Sequence, residues 1–339
     1  MKSLICVEPG SIKLSDETLP TLQPGYALLK VKRIGICGTD LHAFEGTQPY
    51  FKYPRILGHE VSAVIEDVDP ASGFEKGEAV TFIPYFNCGH CIACRRNKPN
   101  CCVNINVFGV HIDGGMRNYI LVPQDKLVKS EGLSFDELAL VEPLAIGAHA
   151  VNRAAIETGE FALVVGTGPI GMGIIEFARI AGAEVIAMDM NDDRLQFCRD
   201  HLHIKHTINP LKEDTVASLQ QITHNDMATV VFDATGNLKA INNGINYLAH
   251  GGRYVLVGLQ KEDFHFNHPE FHKRESSLMS SRNALRSDFE NVITSLKSKL
   301  INPETYITHR IHFGDVNSEQ FSYWLNPQHK VIKAMIHIN

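Results

Sequence analysis

Positive charge is scarce in this chain: across 339 residues, 32 Lys and Arg stand against 38 Asp and Glu, giving a net charge of −6 and a pI near 6.3. That balance argues against the strongly basic face of a nucleic-acid binder and leaves small-molecule work as the default. Long apolar runs are missing where a targeting segment would carry one. In MKSLICVEPGS, Glu8 and Pro9 end the first short run at once, so neither a signal-peptide core nor a spanning helix is expected there. Internal repeats and low-complexity tracts are lacking too. What remains is 44% hydrophobic and 21% charged, ordinary for a folded protein long enough for about two domains. A cytoplasmic protein with no membrane partner is expected.

Cysteine is sparse but unevenly spread, with five of the eight inside fifteen residues, CGHCIACRRNKPNCC (88–102). In a reducing compartment, clustered thiols are more often metal ligands or catalytic groups than disulfides. Cys88, Cys91, Cys94 and Cys102, at spacings x2, x2 and x7, let one tight loop aim four sulfurs at a point. Four thiolates make a closed tetrahedral zinc site with no room for water, so its role is structural. An iron–sulfur cluster fits less well, because its compact run puts the fourth Cys three residues on, before Pro. A metal-free loop of buried or redox thiols is the third reading. Cys101 and Cys102 compete for the fourth position.

The first third reads as β-rich, with short β-branched and apolar runs in GYALLKVKRIGICG (25–38), VSAVIEDV (61–68) and GEAVTFIPYF (77–86), punctuated by Gly and Pro. SFDELALVEPLAIGAHAVNRAA then has helical spacing, opened by a capping box of Ser134 and Glu137 and broken or bent at Pro143. From 161 onward, strands alternate with helical stretches, the order that builds a parallel sheet. FALVV (161–165), EVIAMD (184–189), TVVFDATG (229–236) and RYVLVG (253–258) read as its strands, and KVIKAMIHIN (330–339) as a last strand. A catalytic lobe interrupted by a nucleotide-binding lobe is the expected arrangement.

GTGPIG (166–171) follows the strand at 161–165 and opens a helix. Gly166 permits the tight turn, Gly168 the close approach of a pyrophosphate, and Gly171 the packing of helix on strand; Pro169 and Ile170 start the helix. Helix-terminal amides then face the phosphates. Asp189, 23 residues past Gly166, ends the next strand where it would accept from ribose hydroxyls and repel a 2′-phosphate, favouring NAD over NADP. Arg194 works the other way, although Asp189, Asp192 and Asp193 keep the region acidic. A glycine turn in an unrelated α/β sheet is the bland alternative.

A second metal constellation is dispersed: Cys37 in GICGTDLH, His59 and Glu60 in ILGHE, and Glu142 in VEPLA. Thiolate, imidazole and carboxylate together can hold zinc with one position open. Singly, each has a plainer reading: Cys37 as a small buried hydrophobe, the His–Glu pair as a hydrogen-bonded feature, Glu142 as a capping or salt-bridged acid.

GICGTDLH, YPRILGHE, the four-cysteine loop, VEPLAIGAHA and VVGTGPIG stand in the order and spacing of zinc-dependent medium-chain dehydrogenases. The chain resembles that family over essentially its whole length, and is most like the sorbitol and threonine dehydrogenase branch, where Glu60 follows His59 and Glu142 precedes Pro143. The resemblance implies an α/β protein: a GroES-like β-rich catalytic domain (1–147 and 286–339) and a Rossmann doubly wound parallel-sheet domain (148–285). It also implies two zinc ions per chain, NAD, and a homodimer or homotetramer. Cys37 and His59 become catalytic zinc ligands, with Glu60 and Glu142 completing the shell directly or through water. Thr39 and His42 match the family's proton relay, in which a hydroxyl takes the proton and a histidine passes it to solvent by way of the cofactor ribose. Without the motif they would read as a backbone-satisfied Thr and a surface His. Asp40 would orient the loop, and Thr235 with Gly236 resemble the turn beside the nicotinamide.

Departures are also present. Arg117 and Asn118 stand in DGGMRNYI where the family has a small residue and an acid, which puts the local surface or substrate approach in question. Phe44, Tyr50 and Phe51 are candidates for a pocket wall, with core or surface packing the favoured reading. Arg282 falls near an arginine that relatives present to substrate or cofactor, and would suit a carboxylate. HLHIKH (201–206) reads as an exposed histidine cluster.

The leading expectation is a zinc- and NAD-dependent oxidoreductase acting on a secondary alcohol of a polyol, sugar acid or hydroxy amino acid. The alternatives are a zinc-independent nicotinamide-dependent reductase of the same fold and a non-catalytic NAD-binding protein.

Overall fold

The computed structural model describes residues 1–48, 51–130 and 132–339, so Tyr50 lies outside the described residues. The chain divides into two compact units, Met1–Pro143 with Leu285–Asn339, and Leu144–Ala284. The limits drawn from sequence, 147/148 and 285/286, differ from these by four residues and one; the first boundary falls inside a continuous helix, where composition changes little.

The first unit holds β1 (Lys2–Glu8), β2 (Ser11–Asp16), β3 (Tyr26–Gly35), β4 (Arg55–Ile56), β5 (Glu60–Val68), β6 (Ala79–Phe82), β7 (Tyr85–Phe86), β8 (Asn106–Val107), β9 (Tyr119–Pro123) and β10 (Leu127–Lys129). The second holds β11 (Phe161–Val165), β12 (Glu184–Met188), β13 (His206–Ile208), β14 (Ala228–Asp233), β15 (Leu248–Leu256) and β16 (Ser277–Ser280); β17 (Ile307–His312) and β18 (Lys333–His337) belong to the first.

The main sheet of the first unit runs β10-β6-β5-β3-β18-β17, with β9 also on β3. β3 is its spine. Ala27, Leu29 and Val31 alternate inward and are fully buried, as a period-two strand against a core requires. They join Ile34, Val61, Ile65, Phe82 and Ile120 in one apolar cluster. β9 pairs with the first half of β3 and β18 with the second, so the end of the chain lies beside Gly35. Gly35 is opposite Met335 on one side and Glu60 on the other. The two unexpected residues at 117–118 have structural partners at the start of the chain. The Lys2 amide donates to Asn118 Oδ1 at 2.6 Å, Ser3 bridges Arg117, and Arg117 Nε donates to the Gly114 carbonyl at 3.0 Å.

The sheet of the second unit is parallel throughout, in the order β13-β12-β11-β14-β15-β16. This is the doubly wound arrangement, with strand order reversing between β11 and β14. Ala162 to Val164 and Ile186 to Ala187 are fully buried, which explains why these strands read as unbroken apolar runs.

Helix Phe135–Ala154 carries Glu142 and runs on through Pro143, so of the expected break or bend at that proline the break does not occur. Proline removes one donor, but Leu138 to Val141, Leu144, Ala145 and Ala148 are buried around it and hold the helical path. The capping box is complete: the Ser134 hydroxyl accepts from the Glu137 amide at 3.2 Å, and Glu137 Oε2 accepts from the Ser134 amide at 2.6 Å. No helix among the described residues is long and apolar enough to cross a membrane. Ser134→Ala should lower stability by about 1 kcal/mol, read as a lower urea midpoint, while Ser134→Asp keeps the cap and the midpoint.

Candidate active site

Four sulfurs meet in the cysteine loop. Cys91 Sγ lies 3.5 Å from Cys94 Sγ and 3.8 Å from Cys102 Sγ, and the Cys88 amide points at Cys102 Sγ from 3.3 Å. A zinc–sulfur bond of about 2.3 Å gives a tetrahedron with edges of about 3.8 Å, so the spacing fits a zinc ion. Backbone donors from Cys94 and Val103 pull the Cys91 thiol down to about 6, which favours the ligating thiolate, while burial pushes Cys102 up to about 11. Cys101 is exposed and outside the group, so Cys102 is the fourth member.

Cys37 caps the helix Gly38–Glu45, and Asp40 closes a capping box by accepting from the Cys37 amide at 3.0 Å. The other oxygen of Asp40 accepts from the Gly58 amide at 3.0 Å and stands 3.9 Å from His59 Nδ1. One fully buried carboxylate thereby fixes the two loops that carry Cys37 and His59.

Cys37, His59 and Glu60 each offer a ligand atom within 4.8 Å of the others. Glu142 lies outside that trio but close enough for its charge to act on His59 and Lys333. Its carboxylate accepts a hydrogen bond from the buried Tyr85 hydroxyl. Both oxygens of Glu60 accept from Lys333 Nζ, at 2.6 and 2.7 Å, and Lys333 also donates to the Ile36 carbonyl at 3.1 Å.

Whether the pocket suits a divalent cation is a question of charge. Asp40, Glu60 and Glu142, all buried, face one buried ammonium, Lys333, with the Cys37 thiol beside them. Burial pushes Asp40 and Glu142 above the usual carboxylate range. It works against a proton on His59, yet Cys37, Asp40 and Glu142 outweigh it and raise that imidazole well above its ordinary value. Without a metal the pocket therefore recruits protons. A divalent ion satisfies the same anions and releases those protons, and the donor set of thiolate, imidazole and carboxylate suits zinc.

Thr39 is half-buried one residue into the helix, and His42 is exposed, with Nδ1 3.1 Å from Glu45 and 3.3 Å from Thr47. Phe44 is buried against Phe321, with ring centroids 5.2 Å apart, and is core; Phe51 is half-buried beside Tyr53. Arg282 is exposed just after β16. His201 and His203 are exposed, and among the described residues the two metal groups above are the only ones of three or more ligand-type side chains.

In the second unit, Gly166 takes φ +89° at the end of β11, and a Cβ there would fall 2.6 Å from Thr235 Cγ2. The turns after β11 and β14 are packed against each other at the reversal of strand order. Gly171 is tighter still, its missing Cβ 1.8 Å from the Gly166 carbonyl oxygen. Gly168 caps the helix Pro169–Ile180, whose second residue is Ile170. Asp189 accepts from Thr167 N–H at 2.7 Å and Oγ1 at 2.9 Å and from Asn191 N–H at 2.9 Å, so its carboxylate is locked at the strand end; Arg194 Nη1 is 4.0 Å away. Asp192 is turned aside to Lys212 at 2.6 Å. Thr235 Oγ1 donates to the buried Asp233.

Lys333, Tyr85 and Thr167 were missed in the sequence. A lysine inside the apolar terminal strand KAMIH was the available signal for the first, since a buried cation needs an anionic partner; Tyr85 and Thr167 gave none.

Residues 23–132 match the family described as alcohol dehydrogenase GroES-like domain, and residues 169–298 match zinc-binding dehydrogenase. With that, the chain belongs to the zinc-dependent medium-chain dehydrogenases, oxidoreductases that use zinc and NAD on secondary alcohols. It is similar to L-galactonate-5-dehydrogenase of Escherichia coli K12, with 40% identity over 99% of this chain and 98% of the relative. It is similar also to 2-dehydro-3-deoxy-L-galactonate 5-dehydrogenase of Pseudoalteromonas atlantica, at 32% over 94% and 93%. Among solved structures, the rspB alcohol dehydrogenase of E. coli CFT073, crystallised with NADH, superposes with a TM-score of 0.92 at 30% identity, covering 100% of this chain and 99% of that one.

Cys102→Ser should cost one zinc equivalent per chain by atomic emission, whereas Cys101→Ser should leave the zinc content unchanged.

Proposed function

We propose that the protein oxidises a secondary alcohol of a sugar acid, with NAD as hydride acceptor. The observation that carries the substrate class is the 40% identity, over nearly the full length of both chains, to an enzyme named for L-galactonate. In this reading the unit of Met1–Pro143 and Leu285–Asn339 is the catalytic domain and Leu144–Ala284 the NAD-binding domain. Cys37 and His59 hold the catalytic zinc, with Glu60 and Glu142 completing the shell directly or through water. Cys88, Cys91, Cys94 and Cys102 hold the structural one.

When bound, zinc supplies Lewis-acid stabilisation of negative charge on the substrate oxygen, and NAD accepts the hydride. The chain's residues do the rest. Thr39, two residues beyond Cys37, takes the hydroxyl proton, and the exposed His42 releases it to solvent. Asp40 keeps the Cys37 and His59 loops in register. Gly168, Ile170 and Gly171 bring backbone amides to the pyrophosphate, Gly166 makes the tight turn before them, and Pro169, which has no N–H to give, starts the helix. Asp189 accepts from the ribose, with Arg194 at its flank, and Thr235 lines the nicotinamide side. A homodimer or homotetramer in the cytoplasm completes the proposal.

The test is a spectrophotometric panel of L-galactonate, L-idonate, sorbitol and L-threonine with NAD and with NADP. Reduction of NAD fastest with an aldonate is expected. Fastest turnover with sorbitol or threonine would remove the sugar-acid assignment. Cys37→Ser, checked for folding by circular dichroism, should lower kcat at least about a hundredfold; full activity in that variant would remove the zinc assignment.

A further inference from the structure

Asp189 stands just past β12, and three donors from its own unit already hold its carboxylate. Oδ2 takes two of them, both from Thr167: the amide at 2.7 Å and the hydroxyl at 2.9 Å. Oδ1 takes the third, the Asn191 amide at 2.9 Å. A carboxylate has about four acceptor positions, so the one left open is on Oδ1. A ligand hydroxyl meets a group whose orientation the protein has already fixed.

Thr167 is the second residue of the glycine turn, between Gly166 and Gly168, and is fully buried. In a turn that offers its amides to phosphate, this residue gives both of its donors to Asp189 instead. Behind its hydroxyl lies the buried Cys198 thiol, on the helix Asp192–His201 and in hydrogen-bonding contact with it. Burial pushes that thiol up to about 12, so it stays protonated and donates to Thr167 Oγ1. The threonine's own proton is left for Asp189.

A competitor for the carboxylate is close. Arg194 Nη1 is 4.0 Å from Asp189 Oδ2, and it lies over the glycine turn, 3.8 Å from where a Cβ on Gly168 would be. That gap is too long for a hydrogen bond. The pair stays loose while Thr167 holds Oδ2.

We infer that Thr167 is a coenzyme-specificity residue: by giving amide and hydroxyl to one oxygen, it stops Asp189 from turning to Arg194 and keeps an uncompensated negative charge beside the adenosine ribose, where NADP carries a 2′-phosphate. The inference rests on the cofactor reading above. Without the hydroxyl, the carboxylate can swing onto the guanidinium, and the resulting ion pair presents little net charge to a phosphate. NADP is then no longer turned away.

The experiment measures NADH and NADPH binding to the zinc-loaded protein by isothermal titration calorimetry, in the wild type and in Thr167→Val, which removes the hydroxyl and keeps the shape. The ratio of the NADPH to the NADH dissociation constant should fall about tenfold in Thr167→Val, as for the loss of one charge-assisted hydrogen bond, with NADPH bound more tightly than by the wild type. Thr167→Ser should keep the wild-type ratio, and adding Arg194→Gln to Thr167→Val should take back the gain in NADPH affinity. A ratio within about twofold of wild type in Thr167→Val overturns the inference, because a threonine needed only to shape the turn would weaken both dinucleotides alike. So does a ratio that moves as far in Thr167→Ser, since the methyl and not the hydroxyl would then be responsible. Thr167→Ala gives the same reading where valine disturbs the turn. A wild type that prefers NADPH removes the NAD assignment and this inference with it; a wild type that prefers NADH, with a ratio unmoved by the variants, removes this inference alone.

Discussion

The first unit depends on an excess of buried negative charge. Asp40, Glu60 and Glu142 are withdrawn from water around the Cys37 thiol, with one ammonium among them. Ionised carboxylates in an apolar interior are costly unless they are paired. The fold can answer in three ways: by protonating the acids, by protonating His59, or by supplying a cation. The upward shifts of Asp40, Glu142 and His59 describe the first two, and the ligand set describes the third. A divalent ion thus completes the electrostatics of the unit as well as its chemistry.

That cluster can exist only because distant segments meet. Asp40 and His59 are joined by a loop and a short strand, but Lys333 pairs with Glu60 across 273 residues of sequence. The whole second unit intervenes between them in the chain. β18 makes the connection by adding to the edge of β3, opposite the very residue that must be glycine. Register is decisive here. A slip of one residue along β18 would turn Lys333 to the other face of the sheet and leave Glu60 unpaired.

How much of this was legible in the sequence follows from range. Cys88 to Cys102, Gly166 to Gly171 and the capping box of Ser134 and Glu137 are local, so their spacing carried the geometry directly. Cys37 and His59 needed the family resemblance to be joined, because each alone reads as a buried side chain. The role of Asp40 was half visible, since a carboxylate three residues after an N-cap is a capping signal, yet its second bond to Gly58 was not. A break at Pro143 did not follow, because proline's local cost was outweighed by buried neighbours on both sides. Tyr85 was invisible for the opposite reason, and Lys333 signalled only a buried cation in an apolar strand: nothing within several residues of either says which carboxylate is its partner. The choice between Cys101 and Cys102 was also beyond spacing, because it turns on which of two adjacent side chains faces inward.

The two metal groups solve different problems with related donors. In the cysteine loop, four like ligands lie in one short segment, hold one another at 3.5 to 3.8 Å, and leave nothing for a substrate to displace. In the second group, the candidate donors come from a helix cap, a loop and a strand start, with Glu142 nearby on a long helix, and they are fixed by different neighbours. Asp40 steadies Cys37 and the loop before His59, Tyr85 steadies Glu142, and Lys333 steadies Glu60. Independent tethers fix each donor group separately. A loop of four equivalent thiolates is closed on itself, and on the function proposed above chemistry belongs to the dispersed group and stapling to the compact one.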